Sequence, residues 1–126
     1  MLLDTVPYIR NYGIMKTDAA LDALRALGQI SRLAAFRALV EAGPGGLAVG
    51  ELRDRLDLPP ATLSAHLNVL RSAGLVGDQR EGRVIRVRAD FAQMNALIAY
   101  LTENCCAGAD CTVGSVACSP TRGADA

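Results

Sequence analysis

Four cysteines, Cys105, Cys106, Cys111 and Cys118, all fall within the last 22 of 126 residues. A disulfide framework spreads its bridges through a core, whereas thiols crowded into one terminal stretch read as a soft-ion or redox site in a reducing compartment. Soft thiolates select soft or thiophilic ions. Two of the four are adjacent, which departs from the two-to-four-residue spacing of structural zinc pairs, so zinc is open but disfavoured. His66 is the one histidine of the chain, which excludes any ligand set or acid/base pair needing two histidines within a subunit. No Cys-x-x-Cys begins a helix and nothing is placed to stabilise a thiolate, so a small thiol reductase has no support. The expectation is a non-enzyme without a catalytic cofactor.

A second set of chemically capable residues is basic. Lys+Arg and Asp+Glu balance at 13 each, but the charge is uneven. Arg71, Arg80, Arg83, Arg86 and Arg88 face only Asp78 and Glu81 over the same stretch. Arginine supplies nearly all the positive charge, and its planar fork suits phosphate and base edges better than an ammonium does. At 51% hydrophobic residues the chain is too apolar for disorder, yet no uncharged run is long enough to span a membrane. Asp4 and Pro7 stand where a signal peptide would place a basic start and an apolar core. These features predict one small soluble cytoplasmic domain, of a size that commonly dimerises.

The elements that must position these residues follow from periodicity. Residues 1–16 show none and are read as an N-terminal arm; residues 17–104 form the folded unit, and residues 105–126 the cysteine tail. A first helix starts with Thr17 or Asp18 as N-cap, carries Leu21, Leu24, Ala26 and Leu27 as its apolar face, and stops at Gly28. Ser31 is expected to cap a second helix, with Leu33, Phe36, Leu39 and Val40 on one face and Gly43-Pro44-Gly45-Gly46 at its end. A third helix spans Val49 to Leu56, and Pro60 opens a fourth after a tight turn. In the fourth, Leu63, Leu67 and Leu70 face inward while Thr62, Ser64, Ala65 and Asn68 face away, which is a helix-turn-helix arrangement. The period then changes to two. Leu75 to Gln79 and Arg83 to Arg88 flank Gly82 as a β-hairpin, with Ile85 and Val87 toward the core and an arginine face free for a phosphate backbone. Asp90 and Gln93 begin a last helix whose broad stripe of Phe91, Met94, Leu97, Ile98 and Leu101 suggests a dimer seam. The predicted fold is mainly α with a β-hairpin, a winged helix-turn-helix of order ααααββα, forming a homodimer.

With that order in place, residues 18–106 resemble the ArsR/SmtB family of bacterial metal- and metalloid-responsive winged-helix repressors. The stretches "LDALRALGQISRLAAFRALVEAG", "LAVGELRDRLDLPPATLSAHLNVLRSAGLV" and "REGRVIRVRA" carry the resemblance, the motif-helix segment with the wing being the most specific. It implies double-stranded operator DNA as partner, read from the major groove by Thr62, Ser64 and Asn68, with Ala61 or Ala65 against a thymine methyl. His66 occupies the family's recurrent histidine position and is either a DNA contact or a structural hydrogen bonder. Arg80, Arg83, Arg86 and Arg88 form the implied wing set, with Arg71 as an added phosphate clamp. The resemblance also implies a homodimer through the first and last helices and no membrane role. Two family sites are missing. Ala48 and Gly50 stand where the usual Cys-x-Cys arsenic site would be, and the last helix lacks the histidines of the usual zinc site.

What remains is the tail. Cys105 and Cys106 follow the C-terminal end of the last helix, whose partial negative charge disfavours thiolates. A four-thiolate zinc site would put a net negative charge there. Neutral As(OH)3 condensing with three neutral thiols gives neutral As(SR)3 and three waters, a step the helix end does not oppose. The expected inducer is therefore trivalent arsenic, as arsenite or methylarsenite, or antimonite, held by Cys105, Cys106 and Cys111. The tail also resembles an arsenic-responsive branch of the family with a vicinal pair after the last helix and one downstream cysteine. The alternatives are a thiol redox switch and a sensor of a divalent soft metal such as cadmium, zinc or lead.

Overall fold

The computed structural model describes residues 15–108. Helix α1 (Thr17–Leu27) and helix α2 (Ile30–Ala42) are followed by a two-residue strand β1 (Leu47–Ala48), helix α3 (Val49–Leu56) and helix α4 (Pro60–Ser72). Strands β2 (Val76–Glu81) and β3 (Val84–Ala89) form the hairpin, helix α5 (Phe91–Thr102) returns to α1, and a 3-10 turn covers Cys105–Gly108. This is the winged helix-turn-helix order, with one strand more than expected. β1 is too short to show a period of two; it pairs antiparallel to β3, Leu47 opposite Val87, giving the sheet order β1-β3-β2.

The helix-turn-helix forms as its sequence requires. Asp57 takes a left-handed φ of 56° at the end of α3, and Pro60 fixes the first turn of α4, where its missing N–H costs nothing. Leu63, Leu67 and Leu70 are fully buried, together with Leu39 of α2, Leu52 of α3, Leu75 and Val87. Gly74, at φ 78°, turns the chain out of α4 into the hairpin.

Two helix faces differ from expectation. On α1 the buried residues are Ala20, Ala23 and Ala26, while Leu21 and Leu24 are each 41% exposed. Three alanines along one face let α1 lie close against its neighbours, and the leucines are thereby rotated outward. On α2, Phe36 and Leu39 are buried and Val40 half-buried as expected, but Leu33 is exposed. The caps also shift. Lys16, not Thr17 or Asp18, precedes α1 and gives no side-chain cap, while the Thr17 hydroxyl lies 2.7 Å from the Tyr100 hydroxyl. Gln29 rather than Ser31 caps α2, its side-chain oxygen accepting from the Arg32 N–H at 2.9 Å. At α5 the expected cap holds, Asp90 Oδ1 accepting from the Gln93 N–H at 3.0 Å. The Gln93 side chain turns instead to the Ala73 carbonyl, and Asp90 donates its own N–H to Leu75. Leu97 is buried and Phe91 and Met94 are half-buried, while Ile98 and Leu101 remain 48% and 57% exposed.

Candidate nucleic-acid interface and thiol pair

Helix α4 divides around its buried leucines into two flanks. Thr62 and His66 lie on the flank toward α2, where His66 Nδ1 stands 3.5 Å from Nη1 of Arg32. A guanidinium can only donate, so Nδ1 is the accepting atom of this contact. Arg32 itself is fixed by donating from Nε to the Ala26 carbonyl at the end of α1, at 2.7 Å. Ser64, Asn68 and Arg71 lie on the flank toward the hairpin. Thr62, Ser64, Ala65 and Asn68 are all exposed.

Arg71 is half-buried and doubly engaged. Its Nε lies 3.1 Å and 3.0 Å from the two carboxylate oxygens of Asp78 on β2, and its Nη1 donates to Asn68 Oδ1 at 2.8 Å. The guanidinium thus ties the motif helix to the hairpin. Sequence reasoning missed Asp78 as a functional neighbour, although an acid seven residues beyond the arginine was visible. Beside this link an open groove of about 800 Å³ runs between α3, α4 and the hairpin, lined among others by Glu51, Asp54, Ser64 and Arg83.

The five arginines do not share one face. Register pairs Val76 with Ala89, Asp78 with Val87 and Arg80 with Ile85, so Arg80 shares the sheet face that is buried at the hairpin base. Arg86 and Arg88 occupy the opposite face, and Arg83 sits in the turn after Gly82. Arg86 folds back on the molecule, donating from Nε to the Gly45 carbonyl at 3.1 Å and from Nη2 to the Gly46 carbonyl at 3.3 Å, with Glu51 3.8 Å away. Arg80, Arg83 and Arg88 are exposed. The expectation of a single arginine face is corrected here: alternation along two paired strands sends Arg80 and Arg86 to opposite sides.

At the other end of the molecule, α5 ends at Thr102 with Glu103 in extended conformation, and Asn104 follows at a left-handed φ of 58°, a conformation asparagine tolerates. Cys105 and Cys106 then open the 3-10 turn, Cys106 also at a left-handed φ of 56°, which brings its side chain beside the first. Their sulfurs stand 3.7 Å apart, Cys105 half-buried and Cys106 exposed. Cys111 and Cys118 lie outside the described residues. Among the described residues no three His, Cys, Asp or Glu side chains cluster as a metal site, and no helix is long and apolar enough to cross a membrane.

Comparison with known proteins agrees with this geometry. A helix-turn-helix domain model matches residues 27–77. The transcriptional repressor SmtB of Mycobacterium tuberculosis is 39% identical over 71 residues, which make up 56% of this chain and 50% of that protein. The structure of HlyU from Vibrio cholerae superposes with a TM-score of 0.58 at 31% identity, covering 73% of this chain and 99% of that one. An ArsR-like transcriptional regulator from Rhodococcus gives a TM-score of 0.61 at 27% identity, over 79% of this chain and 90% of its own. The chain thus spans half the length of SmtB and nearly all of the HlyU structure.

Proposed function

Because the chain belongs to the ArsR/SmtB family of winged-helix transcriptional regulators, we propose that it is a repressor that occupies operator DNA as a homodimer and is released when trivalent arsenic, or antimony, is captured by its C-terminal cysteines. The observation that carries the metalloid half of this reading is the Cys105–Cys106 sulfur separation of 3.7 Å at the end of α5. Two thiols at van der Waals distance from one another can bridge a single pyramidal centre with little rearrangement, and Cys111 is the third ligand in this reading. Three S–H protons leave with three hydroxides of As(OH)3 as water, and no net charge is built at the helix end.

Release follows from the placement of the pair. Helix α5 offers Ile98 and Leu101, and α1 offers Leu21 and Leu24, as exposed apolar residues on two helices that touch one another. Such faces suit a seam between two copies, and Thr17 joins Tyr100 across the same helix pair, five residues before Cys105. Closing the thiols on the metalloid would shift α5 against α1 and so change the separation of the two α4 helices. A coupling of ~1–3 kcal/mol is enough for a working switch.

The test is operator binding titrated with arsenite, antimonite and methylarsenite under reducing conditions. Cys105→Ser and Cys106→Ser should bind DNA as the wild type does and resist release. Cys111→Ser should lose the arsenite response and keep the methylarsenite response, which needs two thiols. Release by peroxide with recovery in dithiothreitol, and none by arsenite, would establish the redox-switch reading instead; release by cadmium, zinc or lead alone would establish the divalent-metal one.

A further inference from the structure

Asn68 is the one side-chain amide on the outward face of α4, and its orientation is fixed from behind. Arg71 donates to its Oδ1 at 2.8 Å, and Arg71 is itself held by both oxygens of Asp78 at 3.1 Å and 3.0 Å. Arg71 and Asp78 are partly shielded from solvent, with side-chain exposures of 30% and 38%, so the link is less screened than a surface pair. A free asparagine amide flips readily and presents either its carbonyl or its N–H2 group. Here the carbonyl oxygen accepts a charge-assisted hydrogen bond, which leaves the two Nδ2 hydrogens as the groups offered outward.

We infer that Asp78 and Arg71 are positioning residues that set Asn68 as a hydrogen-bond donor, so that it selects guanine on the contacted strand. Guanine presents two adjacent acceptors, N7 and O6, in the major groove, whereas cytosine presents a donor that meets the amide hydrogens head on. An unrestrained asparagine prefers adenine, because its bidentate pairing with N6 and N7 needs a carbonyl free to accept. With Oδ1 committed to Arg71, that pairing is weakened. Arg71 thereby acts through another side chain rather than as the phosphate clamp its charge suggests, and Asp78 supplies the counter-charge that keeps it there. This inference rests on the DNA-reading half of the proposed function and is independent of what the cysteines bind.

The experiment is selection from random double-stranded oligonucleotides, followed by salt titration of the best site, for wild type, Asn68→Ala, Arg71→Ala, Arg71→Lys and Asp78→Asn. Asn68→Ala should flatten preference at one position in each half-site. Arg71→Ala should move that same position from guanine toward adenine by about tenfold. Asp78→Asn, which keeps the shape of the side chain, should shift it in the same direction by a smaller factor, and the other positions should stay as they are. A merely structural role would lower thermal stability without moving one base preference. If Arg71→Ala instead weakens every sequence equally and lowers the salt slope by about one per subunit, Arg71 contacts phosphate and the inference is overturned. Should Arg71→Ala not fold, an unmoved preference in Asp78→Asn and Arg71→Lys overturns it equally. A wild type that selects no sequence removes the DNA reading and this inference together; a wild type that selects while the variants leave the preference unchanged removes this inference alone.

Discussion

Arg83 and Arg86 stand three positions apart in one hairpin and have different work to do. Arg86 binds the Gly45 and Gly46 carbonyls, so Arg86→Ala should lower the melting temperature by several degrees, for ~1 kcal/mol or somewhat more of lost charge-assisted hydrogen bonding. Its salt slope for DNA should match the wild type. Arg83 is exposed at the turn, and Arg83→Ala should leave the melting temperature alone while reducing the salt slope by about one per subunit. Thermal denaturation and binding at several salt concentrations separate the two. The sequence could place both on a hairpin, because alternation is local. It could not distinguish their partners, because the Arg86 contacts join residues 40 and 41 positions apart. The same limit applies to Arg71, whose charge was legible and whose acceptors Asn68 and Asp78 were not.

Elements became legible where burial and hydrophobicity agree. The leucine spacing of α4 marks the inward face correctly, and the helix-turn-helix with its hairpin follows. On α1 the two diverge, since ranking by hydrophobicity selects Leu21 and Leu24 whereas close packing selects Ala20, Ala23 and Ala26. Strand β1 was invisible because it is only two residues long, yet its approach to β3 is demanding. Gly46, at φ 68°, lies against β3 so closely that a Cβ would press into the Val87 carbonyl oxygen. Gly46→Ala should therefore destabilise the fold by roughly 2–4 kcal/mol, combining left-handed strain with a backbone clash, as measured by chemical denaturation. The Thr17 and Tyr100 hydroxyls, 2.7 Å apart, join α1 to α5 beside their apolar contact. Tyr100→Phe should retain operator affinity and arsenite stoichiometry, but the loss of operator affinity on arsenite loading should shrink by about fivefold, corresponding to one neutral hydrogen bond.

At the scale of the whole molecule, the exposed leucines of α1 and α5 are the faces that the proposed homodimer would cover. Leu24→Asp or Leu101→Asp should give a folded monomer by sedimentation and lose most of the operator affinity, since one reading head binds only a half-site. The first two thiols of the cysteine tail are side by side in the structure, and Cys111 and Cys118 lie outside the described residues. Helix α4 carries a single charged residue, Arg71, which is already neutralised by Asp78. In the proposed reading, grip and address are written in different parts of the molecule: the exposed Arg80, Arg83 and Arg88 lie on the hairpin, while the one charged side chain of α4 is already paired with Asp78. On that reading, exchanging the side chains at positions 61, 62, 64 and 65 for other neutral ones would redirect the proposed repressor to a new site while leaving its hold on arbitrary DNA as it was.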